Sequence, residues 1–75
     1  SRKRNQRYLN NIESILIEGY NPKNLEQLMG RTRTNRLTFV EIPSKMKQVK
    51  FVGQEFNVMI KEVRSFSLSG VICNL

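Results

Sequence analysis

The stretch Gly30-Arg31-Thr32-Arg33-Thr34-Asn35-Arg36 concentrates side chains suited to gripping an anion. Side chains alternate along a strand, so Arg31 and Arg33 are expected on one face, about 7 Å apart. That separation resembles the spacing of successive phosphates on a nucleic-acid strand. A guanidinium holds phosphate with a planar fork and also stacks on an exposed base. Thr32, Thr34 and Asn35 add hydroxyl and amide groups suited to phosphate or 2′-hydroxyl contacts. Gly30 lets a neighbouring backbone come close. The alternative is a hairpin whose arginines merely keep a strand edge soluble and unpaired. A second stretch, from Lys61 through Arg64 and Phe66 to Gly70, offers an aromatic ring beside cations and serine hydroxyls. Phe66 is either a stacking platform for a base or a core residue.

Composition narrows the chemistry further. The 75 residues suffice for one domain with a thin core. Thirteen Lys and Arg face six acidic residues, all Glu, for a net charge of +7. Such a field favours a polyanionic partner, nucleic acid first. There is no His, no Asp and no Trp, and Cys73 is the lone cysteine. Ser–His–Asp and Cys–His catalysis are therefore excluded, and so are zinc and cluster sites that need several Cys or His ligands. The glutamates are scattered among basic neighbours and read as solvated positions, so this chain is expected to be no enzyme by itself. Cys73 reads as a small core hydrophobe. No apolar run approaches the length of a membrane span. The start, Ser1-Arg2-Lys3-Arg4, has neither an initiator Met nor the hydrophobic region of a signal peptide, and fits a piece of a longer cytoplasmic protein.

The elements that must position these residues read as short strands between turn residues. Residues 1–11 form a basic arm, either disordered or the last turns of a preceding helix, and are expected to fray. The domain proper then spans 12–75. Strands are expected at Ile12–Glu18, ending at Gly19; at Gln27–Arg33; at Arg36–Ile42, ended by Pro43; at Gln54–Phe66; and at Ser67–Asn74. Asn21-Pro22-Lys23-Asn24 is a turn by composition, with a short helical turn near Leu25–Leu28 as an alternative. Thr34-Asn35 suggests a tight two-residue hairpin. Phe56, Val58 and Ile60 alternate, but Val63 falls on the opposite phase, which predicts a bulge or a sharp bend, as barrels need at their corners. Lys45, Lys47 and Lys50 occupy a polar loop closing at Gly53. Five short strands and no long helix make an all-β fold, a small barrel.

These residues carry a family resemblance. Glu18-Gly19, Gly30-Arg31-Thr32 with Asn35-Arg36, Gly53, Ile60-Lys61-Glu62-Val63 and Ser67-Leu68-Ser69-Gly70, in this order from Ile12 to Ile72, resemble a TRAM domain. Gly-Arg-Thr-Arg-Thr-Asn-Arg and Arg-Ser-Phe-Ser-Leu-Ser-Gly most resemble the MiaB-type tRNA methylthiotransferases. Arg4-Asn5-Gln6-Arg7 resembles the end of the radical-SAM domain that precedes TRAM in those enzymes. The segment Ser44–Val52 departs from the family's shorter, more apolar connection. The resemblance implies a five-stranded antiparallel OB-like barrel, cytoplasmic, that holds tRNA while the radical-SAM domain of the same chain reacts. A monomer is expected, with self-association through an uncovered strand edge left open. That parent would use S-adenosylmethionine and iron–sulfur clusters to add a methylthio group to the adenosine beside the anticodon. No cluster cysteine lies in this chain, so no cofactor is expected here.

The expected RNA contacts are Arg31, Thr32, Arg33, Asn35, Arg36, Lys61, Arg64 and Phe66. Two other readings belong to different classes. A protein-docking module, as in the related enzymes that modify a ribosomal protein, should show apolar anchors on a mixed or acidic face. A structural cap for the catalytic domain needs an apolar exterior patch, for which Leu16 and Met29 are the candidates.

Overall fold

The structure, a computed structural model, describes residues 5–46 and 49–73. Five strands, β1 (Ile12–Asn21), β2 (Asn24–Arg31), β3 (Leu37–Glu41), β4 (Glu55–Val63) and β5 (Leu68–Ile72), close into a barrel in the order β1-β2-β3-β5-β4. Two short 3₁₀ turns, Gln6–Tyr8 and Ser44–Met46, flank them. Four ladders are antiparallel, and the β3–β5 ladder is parallel. The expectation of an antiparallel barrel is corrected at that one seam. An odd number of strands cannot alternate direction all the way round a ring, so one seam must be parallel.

Alternation decides what faces inward. Ile15 and Ile17 of β1, Leu28 of β2, Val40 of β3, Val58 and Ile60 of β4, and Leu68 of β5 are almost wholly buried. Each such side chain contributes about 1.5–3 kcal/mol relative to exposure. Thr38 is also fully buried, and its hydroxyl donates to the Arg36 carbonyl at 3.1 Å. The bulge expected in β4 is present: Ile60 pairs with Gly70 while Glu62 pairs with Ser69. Lys61 and Glu62 consequently both stay exposed before Val63 turns in. Phe51 is buried beside Phe56, ring centroids 5.5 Å apart and tilted by 56°. Cys73 is only half-buried, with its N–H bonded to the Asn57 carbonyl at 2.9 Å.

Several element boundaries differ from expectation. β1 does not stop at Gly19 but passes through a register shift there and runs to Asn21. A glycine inside a strand often marks such a shift rather than an end. Asn21 pairs with Asn24, leaving Pro22-Lys23 as the turn, and the Asn21 side chain accepts the Lys23 N–H at 3.0 Å. Residues 25–28 are strand, not a helical turn. Residues 5–11 are not a frayed arm: Asn5 and Tyr8 are buried. Asn10 N–H and Asn11 C=O bond to Ile60 and extend the β1–β4 ladder. Arg2, Lys3, Arg4, Lys47 and Asn74 lie outside the described residues.

Barrel closure needs close backbone approach at Gly70. A Cβ there would overlap the Met59 carbonyl and come within 2.9 Å of its carbon. Gly70→Ala is therefore expected to destabilise the barrel by about 2 kcal/mol, lowering Tm by about 10 °C in a thermal melt.

Candidate nucleic-acid interface

The loop between β2 and β3 is built by two backbone bonds. Asn35 N–H donates to the Thr32 carbonyl at 2.9 Å, and Thr32 N–H donates to the Arg36 carbonyl at 3.0 Å. Asn35 takes the expected positive φ, 69°. The result is a three-residue loop, Arg33-Thr34-Asn35, with a left-handed last residue. This corrects the two-residue hairpin. It also removes the strand alternation that set Arg31 and Arg33 on one face, because β2 ends at Arg31.

The two arginines nonetheless line one shallow groove, with Ser14, Leu16 and Asn35. Each sits at the limit of an ion pair: Arg31 Nε is 4.0 Å from Glu18 Oε1, and Arg33 Nη2 is 3.8 Å from Glu55 Oε1. Exposed pairs of this kind are worth at most about 1 kcal/mol, so a phosphate can displace them. Thr32 departs from its expected role. It is buried, its hydroxyl accepts the Arg36 N–H at 3.0 Å and bonds the Thr34 hydroxyl at 3.0 Å, and it shapes the loop from within. Arg36 is half-buried, and its Nε has no partner among the described residues.

A second turn lies beside this loop. Arg64 N–H donates to the Ser67 carbonyl at 2.9 Å, closing a four-residue turn that carries Phe66 at its tip. Phe66 is 89% exposed, which removes the core reading. The 3₁₀ turn Gln6–Tyr8 ties the two together. Tyr8 and Thr34 hydroxyls bond at 2.7 Å, and Asn5 Nδ2 donates to the Arg64 carbonyl at 2.8 Å. The Arg7 guanidinium lies 5.4 Å from the Tyr8 ring centroid. Arg7, Arg33, Arg36, Arg64 and Phe66 therefore gather at one end of the barrel. Sequence reasoning set Arg7 apart with the arm; the aromatic Tyr8 beside it was the available signal that this segment packs. Lys45 and Lys50 lie on the β3–β4 connection, which leaves from the other end of β3.

Lys61 and Arg64 belong to a different groove from Arg31 and Arg33. It measures roughly 400 Å³ on the outer face of β3, β5 and the end of β4, and includes Phe39 and Ser69. Arg64 Nη2 is 3.1 Å from Glu62 Oε1, whereas Lys61 makes no ion pair among the described residues. Phe39 was not anticipated. The neighbouring Thr38 and Val40 point inward, which leaves its ring on the exterior. Among the described residues, no three His, Cys, Asp or Glu side chains gather as metal ligands, and no helix is long and apolar enough to cross a membrane.

A small, mostly antiparallel five-stranded barrel of this kind is OB-like, and its most distinctive surface is a cationic end with an exposed aromatic. Comparison with family models agrees and goes further. The TRAM-domain model matches residues 6–73, so the chain belongs to the TRAM-domain family. TRAM domains are generally RNA-binding modules. The match begins at Gln6, inside the basic segment 1–11, which therefore belongs with the domain from that residue on.

The Tyr8 hydroxyl is held below its ordinary pKa of 10.0, first by the bond with Thr34, then by Arg7 and Arg36, against the opposing effect of burial. In the window from its folded pKa up to 10.0, the unfolded chain binds more protons. Stability from this group therefore rises with pH across that window and is lost as pH falls through the folded value. Tyr20→Phe leaves Tyr8 as the only tyrosine. Ultraviolet titration of that variant should show ionisation below pH 10.0, and Thr34→Val should move it upward. A midpoint at or above the ordinary value would contradict the bonding described.

Proposed function

We propose that this domain docks tRNA for a radical-SAM methylthiotransferase of the MiaB type, holding the substrate while a neighbouring domain modifies the adenosine beside the anticodon. The observation that carries the RNA part is the convergence of Arg7, Arg33, Arg36, Arg64 and Phe66, joined through Tyr8–Thr34 and Asn5–Arg64. The tRNA part rests on the resemblance of Gly-Arg-Thr-Arg-Thr-Asn-Arg and Arg-Ser-Phe-Ser-Leu-Ser-Gly to those enzymes. The cations contact phosphates, Phe66 offers its ring to an unpaired base, and shape sets most of the selectivity. S-adenosylmethionine and iron–sulfur clusters belong to the catalytic domain, because one cysteine cannot supply a cluster's ligand set. The setting is cytoplasmic. Alone, the domain binds at about 10⁻⁴ to 10⁻⁶ M at physiological salt, and tethering to the catalytic domain raises the effective affinity.

Two double variants with equal charge change separate a defined site from bulk charge. Arg33→Glu with Arg64→Glu should weaken tRNA binding at least about tenfold and reduce the slope of log affinity against log salt by about two. Lys45→Glu with Lys50→Glu should leave both nearly unchanged. Equal losses in the two variants would mean that only net charge matters. Full affinity in the first would show that the cationic end is not the contact surface.

A further inference from the structure

The groove on the outer face has more structure than phosphate binding requires. Phe39 and Ser69 stand side by side across β3 and β5 on its floor. Along one rim, Asn21 Nδ2 donates to Gln27 Oε1 at 3.0 Å, and Gln27 Nε2 donates to Glu41 Oε1 at 2.8 Å. A carboxylate only accepts, so Gln27 must turn its amide nitrogen toward Glu41, and the chain ends on an acceptor. Glu41 makes no ion pair among the described residues. Along the other rim stand Lys61 and Arg64, with Glu62 held by Arg64 at 3.1 Å and by the Ser69 hydroxyl at 3.2 Å.

We propose that this groove is a subsite for one unpaired, amino-bearing nucleobase of an RNA strand, an inference that rests on the RNA-binding reading above. The base stacks on Phe39, the one aromatic ring lining the groove. Its amino edge meets Glu41, and Gln27 offers its remaining amide hydrogen beside it. Uracil fits poorly, since its single ring N–H lies between two carbonyls that a carboxylate repels. The acidic rim also turns phosphate away, so the backbone passes along the Lys61–Arg64 side. Arg64 thereby connects this subsite to the cationic end.

The test compares oligoadenylate with oligouridylate, and uses oligoadenylate carrying one 2-aminopurine, whose fluorescence falls on stacking. The wild-type domain should bind oligoadenylate about fivefold or more tighter than oligouridylate and quench the probe. Phe39→Leu should lose the quenching and weaken oligoadenylate about fivefold or more. Glu41→Gln, an exposed change that carries the test if Phe39→Leu fails to fold, should erase the preference between the two oligomers. Unchanged quenching in a folded Phe39→Leu, or an unchanged preference in Glu41→Gln, overturns the subsite and leaves the RNA-binding reading standing. A wild-type domain that binds neither oligomer nor tRNA at low salt overturns both.

Discussion

The parallel ladder from Thr38↔Leu68 to Glu41↔Val71 closes the barrel, and the placement of the cationic groups follows from it. Two adjacent parallel strands begin at the same end of a sheet. The loop that leads into β3 and the turn that leads into β5 must then lie side by side. These are the segments that carry Arg33 and Arg36, and Arg64 and Phe66, far apart in the chain. Had that seam been antiparallel, the two would sit at opposite ends of the barrel. The Tyr8–Thr34 and Asn5–Arg64 bonds then hold an arrangement that topology has already imposed.

Closure also places demands on individual residues. Gly70 sits where β4 passes too close for any side chain, between Val40 and Ile60 in the ladder. The bulge at Lys61-Glu62 lets Val63 return to the core and leaves two consecutive charged side chains outside. Within the cationic end the forces are individually modest. A buried or half-buried hydrogen bond contributes on the order of 1 kcal/mol, and the exposed arginine–glutamate pairs less. The scaffold is therefore held by the core, while the exposed arginine–glutamate pairs stay weak enough to exchange.

Much of the barrel was legible because inward alternation leaves a plain trace. Ile15/Ile17 and Val58/Ile60 identify their strands, and the misplaced phase of Val63 betrays the bulge. Strand direction leaves no such trace, so the parallel seam was invisible until the strand count was taken with closure. Asn35 showed that a left-handed residue was needed, but that conformation serves both two- and three-residue loops. Phe39 was obscure because each phase of Leu37-Thr38-Phe39-Val40 carries a large apolar side chain, and its facing depends on Thr38 being buried. Thr32 looked like a ligand because a hydroxyl serves a loop's interior as well as it serves a phosphate. Tyr8 and Asn5 were masked by the surrounding basic residues, whose charge suggested solvent. The structure thus brings Arg33, Arg36 and Arg64 to one end, turns Thr32 into the loop interior, and sets Arg7 and Phe39 beside residues that the sequence had not grouped with them.

The central claim is that the parallel seam assembles one RNA-contacting end from two distant segments and the chain that precedes β1. Amide chemical-shift mapping of the nitrogen-labelled domain with a short stem–loop RNA tests it most directly. The account predicts the largest shifts at Arg33–Arg36, Arg64–Ser67 and Arg7 together, with residues 49–53 unmoved. Shifts centred on 44–46 and 49–53, with the 33–36 and 64–67 amides still, would contradict it.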